Sequence, residues 1–290
     1  MVGDLVGILW APFLMCLVLT GIHAYLGVHV LAREVIFVDI AMAQIAALGA
    51  TVAFLMGHDV DQWESYGYSL AATLLGAFVL SITRSRRRHV SQEAVVGIVY
   101  AVSSAAAVLV ADRAAHGAEQ VRTMLVGNLL AVGPFEVGKV FVLYSGVGLL
   151  HWLCRRPFLL ISTDPAAAFA EGWRVRFWDF LFYASFGVVV ASSVRIAGVL
   201  LVFSYLIVPA LAGVMLGGTV AARLLIGWTF GTVVSVIGMV ASAALDLPTG
   251  ATVVCAFGAT LIAFWIATHV SRRLAALGTA PATPLESRHR

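Results

Sequence analysis

Apolar residues run along this chain in unbroken blocks, and the polar residues gather between the blocks instead of alternating within them. A helix needs about 20 apolar residues to cross a hydrocarbon layer about 30 Å thick. Nine blocks meet that length, at 6–31, 35–57, 66–83, 94–111, 134–153, 177–194, 196–216, 220–244 and 249–270. Membrane strands would instead show segments of about 10 residues with alternating polarity. The pattern therefore predicts an all-α polytopic transmembrane bundle of about nine spans. The first block exceeds a secretory h-region of about 7 to 15 residues. Asp4, with no Lys or Arg, precedes it, so it is expected to remain as a span.

Composition agrees with this reading. Hydrophobic residues make up 61% of the 290 and charged residues 11%, against about 25% charged in soluble domains. The division expected is a transmembrane domain over 1–272 and a disordered cytoplasmic tail over 273–290. Threading the nine blocks alternately puts Arg33, Arg84, Arg86, Arg87, Arg88, Arg155, Arg156, Arg174, Arg176, Arg223, Arg272, Arg273, Arg288 and Arg290 on one side, 14 of the 18 basic residues. Arg113, Arg122, Lys139 and Arg195 fall on the other, with the acidic loop of Asp59, Asp61 and Glu64. The positive-inside rule makes the first side cytoplasmic. The expectation is a multi-pass protein of the inner (plasma) membrane with its N-terminus outside and C-terminus inside. Arginines dispersed at helix ends read as headgroup anchors, and no groove-reading motif suggests nucleic acid.

Two interruptions stand out. Residues 127–132 form a piece too short to span, expected as a re-entrant or interfacial helix on the outside. Residues 161–172, ISTDPAAAFAEG, are too polar to span and lie on the cytoplasmic side. Asp164 before Pro165 suits an N-cap and first-turn pair, and Gly172 a helix end. Such a short helix either closes a surface loop or docks a cytoplasmic protein. Gly213 with Gly217, and Gly227 with Gly231, share helix faces where backbones can approach closely. They serve internal packing or a dimer seam. Cys16, Cys154 and Cys255 stand singly and read as small apolar fillers.

Little chemistry can be assembled. Gly133 to Val140 has the G-x-x-x-x-G-K spacing of a phosphate loop, but Val140 replaces the magnesium-binding Ser or Thr and no strand precedes it. The chain is thus expected to be no enzyme and to bind no cofactor of its own. His23 lies inside the first span and is a candidate ligand. His151 and His269, near cytoplasmic ends, and His58 and His116, in outside loops, read as solvated or interfacial. Asp39 in the second span carries an insertion cost of at least about 2.5 kcal/mol at a helix centre. It either lines a pathway, with Ala43 one turn on and Gln44 on the same flank, or is a hydrogen-bonded structural carboxylate.

Four stretches carry a resemblance: LGVHVLAREVIFVDIAMAQIAALGA, TDPAAAFAEG, VRIAGVLLVFSYLIVPALAGVML and LDLPTGATVV. The chain resembles the membrane permease subunits of zinc and manganese type ABC importers over roughly residues 10 to 270. Gly198, Leu200, Leu201, Pro209 and Ala210 match the family's glycine, paired leucines and proline-alanine, and Pro248, Thr249 and Gly250 match the approach to its last span. The resemblance implies a homodimer or a pair with a sister permease. It also implies two cytoplasmic ABC ATPase subunits that hold ATP and magnesium, and an extracytoplasmic metal-binding protein. Asp164, Pro165, Ala168, Glu171 and Gly172 would belong to the helix that couples ATP hydrolysis to the bundle.

One departure bears on cargo. The family places a His four residues after the second-span Asp, and here Ala43 stands four after Asp39. Without the imidazole, Asp39 with Gln44 is an oxygen-ligand site, which favours manganese or iron over zinc, or a chelated metal. The function expected is an ABC importer permease for a divalent transition metal, working by alternating access. The rivals are a stand-alone secondary transporter or channel driven by an ion gradient, and an intramembrane enzyme. No inverted repeat with broken helices speaks for the first of these, and no nucleophile and base for the second.

Overall fold

The computed structural model describes residues 2–59, 62–84, 91–114 and 117–278. Among them the chain is helical throughout: α1 (Val2–Ala32), α2 (Val38–Leu55), α3 (Trp63–Ile82), α4 (Gln92–Ala111), α5 (Gly117–Val126), a 3-10 turn (Leu129–Ala131), α6 (Pro134–Leu153), α7 (Arg155–Thr163), α8 (Pro165–Ala170), α9 (Val175–Leu216), α10 (Val220–Leu245) and α11 (Thr249–Gly278). Helices close all their backbone hydrogen bonds internally, the condition for crossing lipid. Their starts follow from side chains: Ser91 accepts from the Ala94 amide, Thr219 from Ala222 and Asp164 from Ala167, each meeting an amide that the first turn leaves open.

Seven of these helices are long and apolar enough to span, and the pair α6 and α7, bent by 76°, makes an eighth. The count of nine is recovered inside α9. Gly198 there has φ 77° and ψ 158°, and the contacts of α1 show that the chain reverses at this residue. On the first limb, His23 meets Ser193 and Arg33 meets Asp179, so that limb runs antiparallel to α1. On the second, Cys16 neighbours Tyr205 while Gly27 abuts Leu206 and Ala210, so that limb runs parallel to α1. The limbs, Val175 to Ala197 and Val199 to Leu216, are two spans joined at a hairpin tip.

The hairpin brackets α1, with α6 and α10 completing its surroundings. The first limb also carries α2 and α3, where Gly187 lies against Met42 and Thr73. On the second limb, Tyr205 reaches Ser235 of α10 and the Phe257 ring of α11. Gly213 approaches the Arg223 backbone, Gly227 the Pro209 carbonyl, and Gly231 Thr20 and Pro209. Both glycine pairs therefore serve packing within the chain. α2 is lined with small buried residues, and Gly49 sits so close to the backbone of Tyr68 and Ser69 that a Cβ would lie 2.6 Å from the Tyr68 oxygen.

At the expected outer side, residues 127–132 hold a single 3-10 turn, Leu129–Ala131, after α5, and the Asn128 amide donates to the Ile196 carbonyl at 3.0 Å. Gly127, with φ 70°, packs on Ala197 and Gly198. Backbone contact with the hairpin tip satisfies this segment, so it needs no longer helix of its own. At the far end α11 runs on to Gly278, beyond the span end expected at 270. Residues 279–290 of the expected tail, together with Arg86, Arg87, Arg88, Asp61 and His116, lie outside the described residues.

Two outcomes follow. A backbone near φ 77° and ψ 158° is open essentially to glycine, at a strain of about 1 to 3 kcal/mol for other residues, and a Cβ at Gly198 would overlap the Val126 carbonyl carbon. Gly198→Ala should lower the melting temperature in detergent by several degrees, whereas Gly146→Ala, with open space around it, should not. Orientation is read by an impermeant maleimide on a chain freed of Cys16, Cys154 and Cys255. Glu171→Cys should react in inverted vesicles and Asp59→Cys in intact cells, and the opposite pattern would reverse the topology.

Candidate functional site

Asp39 occupies the first turn of α2, where the positive end of the helix dipole faces its carboxylate. The side chain is fully buried, and neither oxygen has a hydrogen-bond partner. Ala43, one turn on, is fully buried as well, and Gln44 is half-buried. A hydrogen-bonded structural carboxylate is thus not what this geometry offers. Most buried polar groups are paired, and Asp39 is an exception in need of a reason.

His23 has its partners. Its Nδ1 lies 2.8 Å from the Leu19 carbonyl and its Nε2 3.2 Å from the Ser193 hydroxyl. A carbonyl only accepts, so Nδ1 carries the proton and Nε2 accepts from Ser193. This satisfied core histidine stands apart from Asp39, on a different helix with different neighbours.

His151 departs from expectation. Read as interfacial, it is fully buried between α1, α6 and the first limb of α9, with the Ser185 hydroxyl at 2.8 Å from Nε2 and the Tyr25 hydroxyl at 3.3 Å from Nδ1. The rings of Phe158 and Phe182 flank it. Three serines on one face of the first limb, Ser185, Ser192 and Ser193, supply the hydrogen bonds that permit this: Ser192 holds Tyr144 at 3.1 Å. Sequence reasoning passed over His29, also buried, whose Nδ1 lies 2.9 Å from the Ser162 hydroxyl.

Arg33 departs likewise. Expected at the headgroups, it turns inward to pair with Asp179, Nη1 to Oδ1 at 2.6 Å, with both side chains fully buried. Its Nε donates to Ser162 at 2.8 Å and its guanidinium lies 3.9 Å above the Phe182 ring. Arg84 approaches the other Asp179 oxygen at 3.3 Å. The signal was present, because Asp179 stands inside the apolar block that begins at 177, where a carboxylate requires a cation.

The helix expected at 164–172 exists as α8. Asp164 caps it through the Ala167 amide at 2.9 Å, Pro165 fills its first position, Ala168 buries against α7 and α9, and Gly172 ends it at φ 78°. Glu171 is exposed and accepts from the Trp173 indole at 3.0 Å. Exposed Glu171, Arg174 and Phe177, with half-buried Trp173, surround a shallow hollow of about 380 Å³ beside it. A larger groove, about 610 Å³, opens between α1, α6 and α10 and is lined chiefly by apolar residues such as Leu17, Ile22, Phe141 and Trp228. It does not include Asp39. Gly133 to Val140 forms the cap and opening turns of α6, a helical geometry unlike a phosphate-cradling loop. Among the described residues no three His, Cys, Asp or Glu side chains converge as a metal cluster.

The helix order, the hairpin at Gly198 and the capped helix α8 are joined by a sequence match: the model of the ABC 3 transport family covers residues 7–267. The chain belongs to the ABC 3 transport family. It is accordingly a multi-pass protein of the plasma membrane and a subunit of a transport system. It is 25% identical over 243 residues, 84% of each chain, to the manganese transport system membrane protein MntC of Listeria innocua. To a protein of Haemophilus influenzae described as an iron transport system membrane protein it is 22% identical, over 81% of this chain and 80% of the relative. The PsaBC structure from Streptococcus pneumoniae, solved with a Fab, superposes with a TM-score of 0.74 over 90% of this chain and 94% of that one, at 19% identity. That likeness shows a shared fold over nearly the whole chain.

His151→Ala would empty the space between Phe158 and Phe182 and leave Tyr25 and Ser185 without their partner. The expected cost is about 3 kcal/mol, read as a fall in the detergent melting temperature with the purified chain. An unchanged melting temperature would return His151 to the interface.

Proposed function

We propose that this chain is the permease subunit of an ATP-driven importer of a divalent transition metal, with manganese or iron as cargo. Membership of the ABC 3 family supports transport, and the metals named for its relatives support the cargo class. Asp39 carries the finer reading: a carboxylate buried in a membrane helix without a protein partner is costly to keep, and a passing cation would supply the missing charge. An oxygen donor from Asp39, aided by the Gln44 amide oxygen, suits manganese or ferrous iron better than zinc, which favours nitrogen and sulfur. Ala43 leaves space beside the carboxylate. His23, bound within the core, is left out of the path.

The remaining parts follow the same reading. Two cytoplasmic ABC ATPase subunits would bind ATP and magnesium and dock on α8 through the surface around Glu171 and Gly172, with Asp164, Pro165 and Ala168 holding the helix in place. An extracytoplasmic binding protein would deliver the metal, free or chelated. A second copy of the chain or a sister permease would complete the path, and alternating access would move the cargo as the ATPases close and open.

The test measures zinc, manganese and iron in metal-starved cells lacking the chain, cells with it restored, and cells carrying Asp39→Ala. Manganese or iron should fall on deletion and return with the native chain alone. Because Asp39 has no partner to lose, Asp39→Ala should leave the melting temperature unchanged. Full restoration by the variant would remove Asp39 from the path, and metal flux in liposomes without any ATPase would favour the gradient-driven reading.

A further inference from the structure

Three cytoplasmic connections meet at one buried carboxylate. Asp179, near the start of α9, takes Arg33 from the corner between α1 and α2, and Arg84 from the end of α3. Through Arg33 it is joined to Ser162 in the last turn of α7, two residues before the Asp164 cap of α8. Aromatic rings tie the far end of α8 into the same cluster. Trp173, just past α8, packs edge-on against Trp178, and Trp178 against Phe158 of α7. Both ends of α8 are thereby fixed to the groups that hold Arg33.

From Arg33 the chain to Asp39 is short and stiff. The Arg33 amide closes on the His29 carbonyl, Val35 on Val30 and Val38 on Val35, and Glu34 has φ 56°. The Phe37 amide donates to Glu93 at the start of α4. A corner held by this many backbone bonds moves as a unit, so a displacement of Arg33 becomes a displacement of the first turn of α2. Arg33 holds Asp179 through Nη1 and Ser162 through Nε, so its rigid guanidinium plane transmits orientation as well as distance, which a flexible ammonium does not.

We propose that Arg33 and Asp179 form the joint through which movement of α8 reaches the first turn of α2 and Asp39. The two are positioning residues, since neither is placed on the cargo path. The inference rests on the reading of α8 as the ATPase contact.

The experiment uses the chain reconstituted in liposomes with its ATPase subunits and binding protein. Manganese uptake and ATP hydrolysis are measured in the same vesicles for the native complex, Arg33→Lys, Arg33→Gln, Asp179→Asn and Ser162→Ala. Arg33→Gln and Asp179→Asn should keep assembly and most hydrolysis while uptake per ATP falls about tenfold, within the usual span of coupling between sites. Arg33→Lys should recover part of the loss. If a charge-removing variant does not assemble, Ser162→Ala decides, because it frees Arg33 from α7 and leaves the ion pair. There the ratio should fall about threefold. Uptake and hydrolysis that fall in proportion, or a ratio unchanged in assembled variants, would overturn the joint. A native chain that assembles with no ATPase, or whose uptake ignores ATP, would overturn the reading of α8 instead.

Discussion

Backbone reversal at Gly198 is the constraint on which the rest of this bundle depends. A left-handed glycine turns one apolar run into two antiparallel limbs, and α1 lies against both. Because the limbs run in opposite directions, α1 meets the start of the first through Arg33 and the second through Gly27 and Ala210. Closure of the tip needs three glycines in contact. Gly127 and Gly198 abut each other's backbone, and Gly250 brings the start of α11 against the Val126 oxygen. Where backbones touch, no water is required to satisfy them, which is why irregular chain is tolerated at this depth.

Much of this was legible from apolar block lengths. The break between the blocks at 177–194 and 196–216 was visible because Arg195 is a costly residue mid-membrane, although helical geometry continues through it up to Gly198. The capped α8 was equally readable, since Asp-Pro before alanines and a glycine after them are local signals. What block lengths could not convey is which way a polar residue at a helix end turns. Arg33, Arg84 and His151 have the spacing of interfacial residues, and each turns inward because partners distant in sequence, Asp179 and Ser185, are there to receive them. Interior hydrogen bonding is a long-range property, and one sequence does not display it.

The polar core separates two kinds of burial. His23, His29, His151 and Tyr144 each meet a serine hydroxyl, three of these on the first limb of α9 and the fourth, Ser162, on α7. Serine suits the role because it pairs back to its own helix when needed, as Ser192 and Ser185 do with Val189 and Phe182. These groups are satisfied, and satisfied buried networks fix one arrangement of helices. Asp39 belongs to the other kind. Its oxygens have no hydrogen-bond partner, on a helix whose buried face is mostly small residues. A buried carboxylate kept without a fixed partner is consistent with a partner that comes and goes.

Stability and movement therefore reside in different places. The Arg33 and Asp179 pair lies where three connections meet, and a buried ion pair of this kind adds little net stability against an apolar replacement of similar volume. Its use lies in specificity of position: Nη1 on Asp179, Nε on Ser162 and the Phe182 face together leave the guanidinium little freedom. A bundle held together by serine, glycine and apolar packing would stand without that pair. Keeping a full charge pair out of water beside α8, on the stiff corner that begins the Asp39 helix, is what a chain needs if a push on one short helix is to be felt at a single carboxylate in the membrane.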